Sequence, residues 1–193
     1  MPEPIQLTAI LGSVTPPGRL HRAVTEALDR LTSRTGARPR LIDLAAQRIA
    51  FADGRPVDAL GDDTAVVVDA IASADAVLLA TPVYRGSLTG SLKNLLDHVP
   101  VPALRDTPVA MVAMGGSDHH YLGAERHLRD VLSFFGAHPL PTAVYLASRD
   151  FSDGVPGQRV VSELDALLDA LVALARALGS TPPLGPAPLA ANF

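Results

Sequence analysis

From Ile5 onward, short apolar runs alternate with segments whose leucines and valines recur at helical spacing, and few folds accept that alternation. Strands are predicted at 5–11, 38–44, 75–80, 109–114 and 142–146. Between them lie helical faces: Leu20, Val24, Ala27, Leu28 and Leu31, then 64–72, then Leu88, Leu92, Leu95, Leu96 and Val99. Leu128, Val131, Leu132 and Phe135 mark the fourth helix, and Leu164, Leu167, Leu168, Leu171, Leu174, Ala175 and Leu178 the last. Strands separated by helices pair in parallel, with crossovers on both faces. Five of them suit a flavodoxin-like three-layer α/β sandwich: a five-stranded parallel sheet of order 2-1-3-4-5, with its switch point between strands 1 and 3.

Residues 1–180 read as a single domain, and 181–193, TPPLGPAPLAANF, as a Pro-rich extended or disordered tail. The loop at 45–62 is long for a compact domain, and such loops are usually functional or interfacial. The chain has no cysteine, which removes thiolate nucleophiles, disulfides, Cys-based zinc and iron–sulfur ligation, so redox chemistry would need a bound group. A net charge of -4 gives no general pull toward nucleic acid or an anionic membrane. No run is long enough to span a bilayer and no signal pattern opens the chain, so a cytoplasmic location is expected, with no nucleic-acid or membrane partner.

Three loops follow strands 1, 3 and 4, where open α/β sheets bind ligands. The first, Gly12-Ser13-Val14-Thr15-Pro16-Pro17-Gly18-Arg19, offers two hydroxyls, a guanidinium and a helix N-terminus to an anion. It matches neither G-x-G-x-x-G nor the Walker A loop, and read alone it is equally an ordinary strand-to-helix turn. The second, 82–87, carries Tyr84, which either lies against a planar ring or caps the end of the sheet. The third, Gly115-Gly116-Ser117-Asp118-His119-His120, lets backbone approach a flat ligand. Its adjacent histidines point apart, so metal ligation is not expected there. Together the loops suit a planar cofactor bearing a phosphate; a nucleotide without redox function fits the same physics nearly as well.

The run at 81–97, TPVYRGSLTGSLKNLLD, resembles the signature of NAD(P)H-dependent FMN reductases, in particular the flavin reductases of alkanesulfonate-type two-component monooxygenases. Gly12-Ser13 with Arg19 resembles the family's phosphate loop, although His21-Arg22 stands where serines are usual. Gly115-Gly116-Ser117, with His120 and the helix that follows, resembles its second flavin loop, so the likeness spans 5–150. It implies that Ser13, Thr15 and Arg19 hold the FMN phosphate. Pro82, Val83 and Tyr84 would contact the isoalloxazine and ribityl, and Gly115, Gly116 and Ser117 the ring edge. It further implies a homodimer or homotetramer built partly on the helix at 88–98.

The implied activity is hydride transfer from NADPH or NADH to FMN, with reduced flavin passed to a partner monooxygenase. Cofactors carry such chemistry, so no catalytic side chain is nominated. A preference for NADPH would need a cation for the 2′-phosphate, and Arg85 or Arg22 could serve. Members that partner monooxygenases commonly carry a Tyr or His making a π-bulge in the fourth helix, a feature associated with flavin release; Arg126 stands at that position here. The alternatives are a reductase of quinones or azo dyes with FMN bound tightly, and a non-enzymatic flavodoxin-like electron carrier or regulator. A hydrolase is disfavoured, since no G-x-S-x-G appears.

Overall fold

The first strand, β1 (Gln6–Leu11), is an interior strand of the sheet, and every residue of it after Gln6 is buried. In the computed structural model, which describes residues 3–179, 181, 183–186 and 188, β1 pairs in parallel with β2 (Arg38–Asp43) and with β3 (Ala76–Pro82). β3 in turn pairs with β4 (Pro108–Gly115). Beyond β4 lie two short pieces in one position, β5 (His138–Pro139) and β6 (Val144–Ala147), both parallel to it. The order 2-1-3-4-5 holds, with its fifth place shared.

That fifth strand differs from the expected 142–146. Leu140 N–H still reaches the Val109 carbonyl at 2.8 Å, but Pro141 has no N–H to continue the ladder. The freed carbonyls of Leu140 and Pro141 accept from Arg129 Nη2 at 2.9 and 2.8 Å. Pairing resumes at Val144, opposite Val112.

Alternation along each strand separates two cores. Leu7, Ala9, Leu11, Leu78, Ala80, Ala110 and Val112 pack with α1 (Arg19–Thr35) and α6 (Gln158–Leu178). Ile10, Val77, Leu79, Val109 and Met111 pack on the other face with α2 (Thr64–Ala72), α3 (Gly90–His98) and α5 (Gly123–Phe135). These layers make the flavodoxin-like sandwich. A short α4 (Val101–Leu104) lies between α3 and β4.

Leu88 is buried but precedes α3, whose N-cap is Thr89: its hydroxyl accepts from Leu92 N at 3.2 Å. An unforeseen hairpin, β7 (Phe151–Ser152) and β8 (Val155–Pro156), turns at Asp153-Gly154, both at positive φ. The 45–62 loop is fastened to α3. The Asn94 side chain donates to the Ala50 carbonyl (2.8 Å) and accepts from Ala52 N (3.0 Å), while His98 Nε2 donates to the same carbonyl at 2.9 Å. The expected Pro-rich tail lies mostly outside the described residues. Among the described residues no helix is long and apolar enough to cross a membrane.

Candidate functional site

Register places the carboxyl ends of the strands in one row: Leu11 opposite Asp43 and Ala80, Pro82 opposite Met114, and Met114 opposite Leu146. Above this row lies a cleft of about 360 Å³, within the roughly 300–1,000 Å³ range of small-molecule sites. Ser13, Thr15, Arg19, Pro82, Val83, Tyr84, Gly115 and Gly116 all line it.

In the first loop, close packing dictates glycine at position 12. A Cβ there would stand 2.8 Å from the Leu92 Cβ, and the Gly12 carbonyl accepts from the hydroxyls of Ser91 (3.0 Å) and Thr89. Ser13 and Thr15 pair through their hydroxyls at 2.7 Å, and Thr15 N–H donates to Ser13 Oγ at 3.2 Å. Pro16 and Pro17 contribute no N–H, so the backbone donors at this end come from the start of α1. The first intrahelical bond there is Arg22 N to Gly18 O, at 3.0 Å, which leaves the earlier N–H groups and the positive end of the dipole for an anion. Arg19 reaches across the cleft: its guanidinium lies 5.7 Å from the Phe151 ring centroid, and Nη1 donates to the Ser148 carbonyl at 3.4 Å.

The second loop leaves β3 with Val83 N donating to Met114 O at 2.8 Å. Tyr84 and Ser87 then exchange backbone hydrogen bonds of 2.9 and 3.1 Å around Arg85-Gly86. Tyr84 is 48% exposed, which suits a wall of the cleft and not a buried cap on the sheet.

In the third loop a Cβ on Gly115 would collide with the Tyr145 hydroxyl, whereas one on Gly116 would meet nothing within 4 Å. Tyr145 donates to the Ser117 carbonyl at 2.5 Å, and burial raises its pKa, so it stays a donor at neutral pH. Ser117 does not line the cleft; its carbonyl is turned toward Tyr145, where the chain enters a 3₁₀ turn at Asp118–His120.

The sequence reading did not place His21, Asp43, Met114 or Ser148 in the site, and these also line the cleft. His21 Nε2 lies 3.7 Å from Asp43 Oδ2. Asp43 ends β2, so strand position was the available signal. Ser148 had none, because its place depends on Asp150 after β6. The Asp150 side chain is only 8% exposed; it accepts from Ala147 N at 2.8 Å and pairs with Arg159 Nη2 at 2.6 Å. Burial pushes the Asp150 pKa up, but the Arg159 and Ala147 hydrogen bonds outweigh it and leave the carboxyl below its usual value. Arg149 pairs with Asp118, tying this turn to the third loop.

Arg126 stands where the resemblance put the bulge-forming Tyr or His, and α5 is regular there: Arg126 N bonds Leu122 O at 3.0 Å, the ordinary α-helical span.

Fold and cleft thus define a flavodoxin-like protein with a nucleotide-sized site at its switch point, cationic at one end and walled by Tyr84 and glycine backbone at the other. The model of the NADPH-dependent FMN reductase family matches residues 5–151, and the chain belongs to that family. It is 37% identical over 166 residues to an FMN reductase (NADPH) of Pseudomonas aeruginosa, covering 84% of this chain and 86% of that one. It is 36% identical over 155 residues to an NADH-dependent FMN reductase of Pseudomonas fluorescens, covering 79% and 82%. An NAD(P)H-dependent FAD/FMN reductase of Geobacillus thermodenitrificans matches at 38% over 114 residues; this spans 59% of this chain and 62% of the relative. Among solved structures, an NADH:FMN oxidoreductase in its apo form superposes with a TM-score of 0.76 at 27% identity, covering 92% of each chain. An archaeal flavodoxin, at TM-score 0.62 and 9% identity, shares the fold alone.

Proposed function

We propose that this chain is an NAD(P)H:FMN oxidoreductase. The observation that carries the reading is the convergence of all three loops on one cleft with an anion-binding end and a flat, glycine-walled end. FMN fits that donor set: a phosphate for Arg19 and the N-terminus of α1, and a planar ring for the wall. When bound, it supplies the N5 that accepts hydride from the nicotinamide C4, giving NAD(P)⁺ and reduced FMN.

The protein's part is positioning and charge. Arg19, anchored on Phe151, presents a fixed cation to the phosphate, while the hydroxyls of Ser13 and Thr15 hold the loop and add donors. Tyr84 and Val83, which line the cleft, would flank the ring. Gly115 and Gly116 bring backbone to the ring edge, held by the hydrogen bond from Tyr145 to Ser117. Backbone N–H groups at that edge would stabilise negative charge on a reduced ring.

In the reading we favour, reduced flavin leaves for a partner monooxygenase, and the protein acts as a homodimer or homotetramer. The regular helix at Arg126 favours a second reading, a bound-FMN reductase of quinones or azo dyes. Colour and added-FMN dependence separate the two. A colourless protein whose NAD(P)H oxidation saturates with added FMN supports release. A yellow protein that reduces a quinone without added FMN supports retention.

A further inference from the structure

The turn that carries Tyr84 has a feature the flavin site does not use. At its tip Arg85 is held at φ 53°, beside Gly86 at φ 78°. Consecutive positive φ values are what a two-residue type I′ turn demands, and Asn-Gly satisfies that turn with less strain than Arg-Gly. The turn is braced as well as strained. Ser87 Oγ lies 2.6 Å from His127 Nδ1, and the Gly86 carbonyl occupies the space where a Cβ on Gly123 would stand. A strained residue on a braced turn beside a binding cleft is the pattern of a functional position.

The helix that braces the turn carries a second cation on the same side. Gly123, Arg126 and His127 are spaced i, i+3 and i+4, so the side of α5 that meets the turn also carries Arg126. Arg85 and Arg126 are exposed, and among the described residues neither side chain makes an ion pair or a hydrogen bond. Other guanidiniums are engaged: Arg22 with Glu26 at 2.8 Å, Arg129 with Glu125 at 2.8 Å, Arg149 with Asp118, and Arg19 with Phe151 and Ser148. The rim beside Tyr84 therefore carries positive charge with no internal partner.

A nicotinamide that stacks in the cleft must lead the adenosine end of its dinucleotide out over a rim. NADPH differs from NADH only by a 2′-phosphate on that adenosine, and a phosphate monoester matches paired guanidiniums. We propose that Arg85 and Arg126 bind the 2′-phosphate and make NADPH the preferred hydride donor. This rests on the reading of the cleft as a nicotinamide and flavin site. Of the two cations the sequence offered, Arg85 is free and Arg22 is already paired.

Calorimetric binding of adenosine 2′,5′-bisphosphate and of 5′-AMP tests this without flavin turnover. The wild type should bind the bisphosphate tighter by about ten- to hundredfold, the range of one or two charge-assisted contacts. Arg85→Asn, which keeps a favourable type I′ turn, and Arg126→Gln should each remove much of that preference, and Arg85→Lys should keep part of it. The ratio of kcat/KM for NADPH to that for NADH should fall in parallel, through the KM for NADPH. Equal binding of the two nucleotides by wild type, an unchanged ratio in both variants, or equal losses with NADPH and NADH would each overturn the proposal. A protein that discriminates the nucleotides yet oxidises neither coenzyme would keep this site and remove the reductase reading instead.

Discussion

Arg19 is the residue on which flavin affinity should depend most. Its contacts with Phe151 and the Ser148 carbonyl direct the guanidinium toward the cleft, which reduces the side-chain freedom to be lost when an anion arrives. Arg19→Ala should weaken FMN binding by about 1.5–3 kcal/mol, as for a lost hydrogen bond to a charged group, read by titration of flavin fluorescence; unchanged affinity would remove Arg19 from the phosphate site. Tyr84 is half exposed, so Tyr84→Ala should slow flavin reduction while leaving the thermal midpoint within a few degrees of wild type. A melted variant would show that the side chain holds the sheet end instead. Both residues were legible in the sequence because each belongs to a loop that follows a strand. The partner that steadies Arg19 was not, because Phe151 lies 132 positions away along the chain and no periodicity links the two.

At the scale of elements, the turn after β6 is set by a single carboxylate. Asp150 gathers the Ala147 N–H and the Arg159 guanidinium at the start of α6, so Asp150→Asn should destabilise the fold by about 1–3 kcal/mol. The pH dependence has a definite sign. The folded carboxyl titrates below the unfolded one, so its stabilisation is complete above the unfolded value of about 4 and fades as pH falls through the lower folded value. Melting curves of wild type and Asp150→Asn should therefore differ at pH 7 and converge toward pH 2. A difference that stays constant with pH would contradict the assignment. The main strands and helices were readable because two-residue and 3.6-residue periods directly report which faces are buried. The split fifth strand was harder to read, since Pro141 breaks a ladder whose partner is known only once β4 is placed. The hairpin at Asp153-Gly154 went unread, although an Asp-Gly dipeptide suits paired positive φ.

For the whole molecule, topology does most of the functional work. The order 2-1-3-4-5 brings loops some 70 and 100 residues apart in sequence to one row of strand ends, which is why three individually weak loop motifs made a consistent site. What the sequence reading left out were the contributions from the flanks of that row, Asp43 with His21 and Ser148 with Asp150. These depend on how β2 and β6 terminate in space. The central claim is that this cleft passes hydride from a nicotinamide to FMN. Its most direct test is oxidation of NADPH and NADH by purified protein, followed at 340 nm while free FMN is titrated. Oxidation that rises with FMN and saturates is the predicted result. FMN binding without oxidation of either coenzyme at any FMN concentration would contradict the claim and leave an electron carrier or regulator.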